Sequence, residues 1–206
     1  MVGAPDFAWK TIAASDFTMP PPPAPGSPES VSDLTTLLRL QTARTEQDCT
    51  FARTQDIPDF HSLYDGSGLL SKPELAAVGP LMAEISQFTD QVNGFFKIKH
   101  PRSRPYSEDQ RIQPCVDKPG KSSYPSAHAA CAAVDACVLG RIFPDRAKSL
   151  AAYGKYLGDL RAIVGVHHPS DITAGQNLAD QICSRLLQED DFRAELLRVE
   201  SSLPTR

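Results

Sequence analysis

The run Ser123-Tyr-Pro-Ser-Ala-His-Ala-Ala-Cys-Ala-Ala-Val-Asp-Ala-Cys-Val-Leu139 constrains the fold more than any other part of the chain. Pro125 and Ser126 are residues that begin helices. Proline pre-sets φ, and a serine hydroxyl accepts a bond from an unpaired N–H of the first turn. After His128 every face is apolar except at Asp135, so the helix predicted over about 126–142 is buried on all sides. Its alanines let neighbouring helices approach closely. Such a helix aims its N-terminus, with Ser126 and His128 at the tip, at something. Helix N-termini attract anions because free N–H groups and the macrodipole converge there. Taken alone, the same residues also suit a capped core helix with a surface histidine.

Apolar periodicity supplies the helices around it. Val31, Leu34, Leu37, Leu38, Leu40 and Phe51 suggest a helical stretch over about 32–53. Residues 54–71, with Pro58, Gly66 and Gly68, read as a loop with a short helical turn. Ser71-Lys-Pro-Glu74 is a capping-box start, and Leu75, Val78, Leu81, Met82, Ile85, Phe88, Val92 and Phe96 carry that helix to about Lys99. A proline-rich loop at 100–124 follows, long enough to imply a functional role. Beyond the buried helix, Pro144-Asp145 and Pro169-Ser170-Asp171 start two more, ending near Val166 and Gln188, and a last helix is predicted over 190–202. No strand pattern or internal repeat occurs. The fold class expected is all-α, a compact single-domain helical bundle over 31–206. Residues 1–30, with Met-Pro-Pro-Pro-Pro-Ala-Pro at 19–25, read as a proline-rich arm laid over its surface.

With 206 residues, 41% hydrophobic and 22% charged, the chain can bury a substantial core. A net charge of −4 gives no reason to expect nucleic acid or an anionic membrane as partner. No apolar run approaches the roughly 18 residues of a membrane span. The start MVGAPDFAWK lacks the basic and apolar stretches of an export signal, so either the protein stays inside the cell or the sequence begins after such a signal. Five cysteines leave at least one outside any intrachain bridge. Cys131 and Cys137 lie about 9 Å apart along one helix, too far to bridge, and read as small core residues. Cys49 with Cys115 is the best remaining pair. No Cys/His spacing argues for a metal.

Two further segments carry chemistry. Lys97-Ile-Lys-His-Pro-Arg-Ser-Arg104-Pro105 sets four cations and no acid where a helix runs into the long loop. Arg161-Ala-Ile-Val-Gly-Val-His167-His168-Pro-Ser-Asp171 puts His167 at a helix end, with Asp171 in the first turn of the next helix. A carboxylate bonded to one imidazole nitrogen leaves the other bare and aimed outward, as a nucleophile requires. Each segment alone suits a solvated basic helix end or a structural His–Asp pair. Together they supply guanidinium and ammonium groups, a capped helix N-terminus and two separated histidines, the inventory of phosphoryl transfer.

Lys97-x6-Arg104-Pro105, Pro125-Ser126-Ala127-His128 and Arg161-x5-His167-x3-Asp171 resemble the three-part signature of the type 2 phosphatidic acid phosphatase superfamily. Within it, roughly residues 18–200 are similar to bacterial class A non-specific acid phosphatases. The early proline run, Cys115 and Ser123-Tyr-Pro add to the likeness. The resemblance implies broad phosphomonoesterase activity with no cofactor and no metal. In that scheme His167 attacks phosphorus, Asp171 holds it, and His128 protonates the leaving alcohol and then activates water. Lys97, Arg104, Arg161, the Ser126 hydroxyl and the Ala127 N–H bind phosphate oxygens. His168 is expected either behind the reacting groups or in a wall of the pocket, and His61 and His100 outside the chemistry. Two departures stand out: Ala127 replaces the usual Gly, and Leu160 replaces the usual Ser. The expected partners are small phosphate monoesters, with phosphate transfer to other alcohols and assembly into a homo-oligomer left open. Such enzymes are exported, so a periplasmic or secreted location is implied. Two rivals are a vanadate-dependent haloperoxidase and a non-catalytic phosphate-binding module.

Overall fold

The computed structural model describes residues 8–120 and 122–203. These form nine helices with no strand among the described residues: α1 (Pro28–Ala43), α2 (Glu46–Thr54), α3 (Phe60–Tyr64), α4 (Lys72–Lys99), α5 (Pro105–Glu108), α6 (Ala127–Ile142), α7 (Ala147–Ile163), α8 (Pro169–Leu186) and α9 (Asp190–Ser202). Short 3-10 turns occur at Ala8–Thr11, Ala14–Asp16 and Pro144–Arg146. The expected all-α bundle is what forms. The first seven residues of the predicted arm, and residues 204–206 of the predicted domain, lie outside the described residues.

α6 is the axis, packed on α7, α8 and α4. Its apolar run explains this: Ala129, Ala130, Cys131, Ala132, Val134, Val138 and Leu139 are all fully buried. The helices around it come into backbone contact. A Cβ added at Gly154 of α7 would lie 2.5 Å from the Ala132 carbonyl oxygen, and one at Gly175 of α8 would lie 2.5 Å from the Ser126 carbonyl oxygen. Alanine on one helix facing glycine on the next lets α7 and α8 press their backbones against α6. This brings the ends of three helices to its N-terminus.

The start of α4 follows its capping box: the Ser71 side chain accepts from the Glu74 N–H, and the Glu74 carboxylate accepts from the Ser71 N–H at 2.8 Å. The stretch expected to be helical over 32–53 breaks into α1 and α2. Thr45 and Asp48 form a second capping box that starts a new helix inside the run. The loop at 100–124 contains the single turn α5. Trp9 is fully buried and meets Phe88 and Phe192 edge-on, so the segment before α1 joins the core.

Cys49 and Cys115 form a disulfide, as expected. The reading of Cys137 as a mere core residue needs correction, because it is bonded to Cys183 and so ties α6 to α8. Their separation of 46 positions in sequence hid the pairing, which only helix packing creates. Cys131 is free and buried.

The glycine contact can be tested by Gly154→Ala. Helix propensity alone favours alanine by about 1 kcal/mol. The clash with the α6 backbone reverses that sign, and chemical denaturation should show a net loss of about 1–3 kcal/mol. A stabilised variant would show that α7 does not press on α6.

Candidate active site

The three segments meet in one cleft of about 1230 Å³. Lys97, Arg104, Ala127, His128, Arg161 and His167 all line it. Ser126 and Asp171 are fully buried behind it.

Each arrives by a local cause. Lys97 sits in the last turn of α4 and donates to the carbonyls of Ser122 (2.8 Å) and Pro125 (2.6 Å), anchoring the segment that leads into α6. Ser126 is the N-cap of α6: its hydroxyl accepts from the Ala129 N–H at 3.3 Å, and its own N–H donates to the Asp171 carbonyl at 3.0 Å. Gly165 ends α7 in the left-handed region, at φ +83°. That turn carries the chain through Val166 to His167 and into α8.

The hydrogen bonds identify which imidazole nitrogens carry protons. Arg104 donates from Nη1 to the Val166 carbonyl (2.7 Å) and approaches His167 Nε2 at 2.9 Å. A guanidinium can only donate, so Nε2 must present its lone pair. The His167 proton is then on Nδ1, which lies 3.5 Å from Asp171 Oδ2. His128 Nε2 lies 2.8 Å from the Gln55 carbonyl, which can only accept, so its Nδ1 is bare. Gln55 caps the end of α2. The break between α1 and α2 therefore decides where that carbonyl sits.

Asp171 is shared more widely than a single His–Asp pair. Its Oδ2 accepts from the Ser123 hydroxyl (2.5 Å) and the His168 N–H (2.9 Å), and faces His168 Nδ1 at 3.1 Å. Its Oδ1 is bound by Arg102 Nη1 at 2.7 Å. Arg102 also pairs with Asp33 of α1 at 3.0 Å and with the Ser170 hydroxyl at 2.7 Å. His168 is fully buried, with Nε2 3.4 Å from Glu108. It belongs to this network behind His167, the first of the two places expected for it, and not to the cleft wall. Sequence reasoning counted Arg102 only as one of four cations and missed Asp33 and Gln55. Nothing local to those residues marks them, since their roles arise from contacts made across the fold. Of the histidines set aside, His61 lines the cleft, whereas His100 stacks on Phe96.

The electrostatics favour an anion. Burial pulls the Arg161 guanidinium down to about 10, and Arg104 beside it adds to the effect. Arg161 Nε and Nη1 are buried without a hydrogen-bond partner. Burial also holds both facing imidazoles neutral: His167 falls to about 3, and His128 is pushed well below its ordinary value with Arg161 adding to the effect. Burial would raise Asp171, but the two neighbouring imidazoles outweigh it and keep the carboxyl well below the usual carboxylate range. An unpaired buried guanidinium is costly, and a bound oxyanion removes that cost. Among the described residues, no group of three or more His, Cys, Asp or Glu could hold a metal ion. Leu160, at the position where a serine contact was in doubt, is fully buried beside Val164 and Val166.

Residues 81–179, which contain Lys97, Arg104, Ser126, Ala127, His128, Arg161, His167 and Asp171, match the PAP2 superfamily. The chain carries a PAP2 superfamily domain over those residues. It is similar to a non-specific acid phosphatase of Salmonella typhi, 31% identical over 121 residues that make up 59% of this chain and 46% of that protein. It is also similar to one from Providencia stuartii, 30% identical over 110 residues, 50% of this chain and 44% of that one. The aligned part thus spans about half the length of these relatives. In fold it resembles a bacterial vanadium-dependent iodoperoxidase, with TM-score 0.62 and 16% identity over 88% of this chain and 56% of the other. That likeness concerns architecture alone.

The unpaired guanidinium makes a prediction. Arg161→Met should be at least as stable as the parent chain without ligand, because it removes an uncompensated buried charge. Inorganic phosphate should raise Tm in the parent chain and leave the variant unmoved, as read by thermal denaturation with and without the anion.

Proposed function

We propose that the chain is a phosphomonoester hydrolase of the acid phosphatase type that works through a phosphohistidine intermediate. The observation that supports this best is the joint placement in one cleft of His167, with Nε2 bare, and the buried, unpartnered Arg161.

Phosphate oxygens replace the missing partners of Arg161 and draw Arg104 off His167. Lys97 and the α6 N-terminus at Ala127 complete the pole. Arg104 then stabilises the phosphoryl oxygens, and His167 Nε2 is free to attack phosphorus. The Nδ1–H of His167 faces Asp171, which steadies the positive charge that develops on the ring. His128 delivers a proton from Nδ1 to the leaving oxygen, since its Nε2–H is committed to Gln55. The P–O bond to the alcohol breaks as the P–N bond forms. In the second half, water gives its proton to His128 and attacks phosphorus, and the P–N bond breaks to release phosphate. In this reading fixed cations do the charge stabilisation that metals provide elsewhere.

The proton on His128 comes with the substrate. Its pKa is depressed in the empty site, so it is neutral there near pH 6. A bound phosphate dianion opposes burial and Arg161 and raises that pKa. Binding therefore takes up a proton and tightens as pH falls. The two disulfides suit an exported protein, and no helix among the described residues is long and apolar enough to cross a membrane.

Phosphate release from p-nitrophenyl phosphate tests the reading. His167→Ala should lose at least about a thousandfold in kcat, and His128→Ala about a hundredfold or more. Near-normal turnover by the first variant overturns the assignment, and phosphate binding without turnover by the parent chain leaves only a binding module. Activity should be highest below neutral pH, and the rise in Tm caused by phosphate should be larger at pH 5.5 than at pH 8. A rate that climbs steadily to pH 9 would exclude His128 as the acid.

A further inference from the structure

The cleft extends well beyond the phosphate pole. Its volume suits a drug-sized guest, whereas Lys97, Arg104, Arg161 and the two imidazoles gather around one phosphoryl group. Two walls bound the remainder: residues 56–61, which link α2 to α3 and form the start of α3, and the face of α4 that carries Ala83, Gln87, Asp90 and Gly94. These walls bring Asp56, Asp59 and Asp90 to the cleft together with Ile57, Phe60 and Ile98. None of the three carboxylates has an ion-pair partner among the described residues. Asp59 commits Oδ1 to the Ser62 N–H at 2.9 Å. Asp56 and Asp90 are exposed. The remaining side, at 117–120, carries one acid and one base, Asp117 and Lys118.

Asp56 acts electrostatically on Arg161, and Asp90 and Asp59 both act on Cys131, one turn beyond Ala127 on α6. All three carboxylates line the same cleft as Arg161. Asp90 precedes Lys97 by seven residues, about 10 Å along α4. Ile57 and Ile98, 59% and 85% exposed, add apolar surface beside them. Acidic residues at a rim would by themselves be an ordinary solvated surface. Here the buried, unpartnered nitrogens of Arg161 in the same cleft independently call for an anionic head. That head fixes which end of a guest lies against the acidic walls.

We infer that the preferred esters are phosphate monoesters whose leaving group has a short hydrocarbon body ending in an ammonium. They bind phosphate-first, with the cation among Asp56, Asp59 and Asp90. This rests on the phosphomonoester reading above and deepens it. Esters with a second anionic group are disfavoured at the same walls.

The test uses three five-carbon alkyl phosphates that differ only at the far end: ammonium, hydroxyl or carboxylate. Their affinities are measured by calorimetry on the His167→Ala chain at low salt, and as inhibition constants against p-nitrophenyl phosphate in the parent chain. The ammonium ester should bind about five- to tenfold tighter than the hydroxyl ester, and the carboxylate ester weaker by a similar factor. The double variant Asp56→Asn/Asp90→Asn should bring all three within about twofold of one another. Equal affinities in the parent chain, or an order unchanged in the double variant, would overturn the inference. A chain that releases no phosphate from any ester yet keeps the affinity order would refute the catalytic reading and leave the leaving-group pocket standing.

Discussion

Positive charge held out of water, with too few partners inside the protein, organises this molecule. Arg161 is almost fully buried, and two of its nitrogens find no acceptor. Arg104 is buried beside it and donates to the Val166 carbonyl and towards a histidine nitrogen. Asp171 lies near Arg104, but its oxygens are bound by Arg102 and Ser123, and His168 faces it closely. The empty site therefore carries an excess of positive potential in a region of low dielectric, where it is felt strongly. Burial keeps both histidines neutral, the state a nucleophile needs, and the same positive excess adds to that effect. An oxyanion is the one kind of guest that relieves all of these strains together.

Backbone packing at α6 makes such a site affordable in a chain of this size. Alanines on α6, opposed by Gly154 and Gly175, bring α7 and α8 close enough for main-chain contact. The N-terminus of α6 then lies where the end of α7 and the start of α8 deliver Arg161, His167 and Asp171. Leu160, fully buried under this junction, puts apolar volume where the resembling family usually has a serine.

Most of the architecture was readable beforehand because it rests on local signals. The Ser71–Glu74 box located the start of α4, and the all-apolar run after His128 marked α6 as the centre. The break between α1 and α2 was missed although its signal, Thr45 with Asp48, is equally local. The leucine spacing before it made the stretch look continuous. The cleft-lining residues were readable because their spacing is itself a signature. What lay hidden depends on pairs distant in sequence. Arg102 gains its meaning from Asp33 and Asp171, each 69 residues away. Cys137 gains its own from Cys183. Gln55 contributes a carbonyl, which no residue identity announces.

That carbonyl links catalytic geometry to the redox environment. Gln55 ends the short helix that Cys49 anchors, and Cys49 is covalently joined to Cys115 in the loop across from it. A chain folded where thiols stay reduced would lack both the bond that ties α6 to α8 and the one between Cys49 and Cys115. It would lose the staple that keeps the end of α2 in place, and with it the acceptor that selects which nitrogen of His128 stays bare. In the mechanism proposed above, oxidative maturation would then bear on how His128, the proton donor, is held.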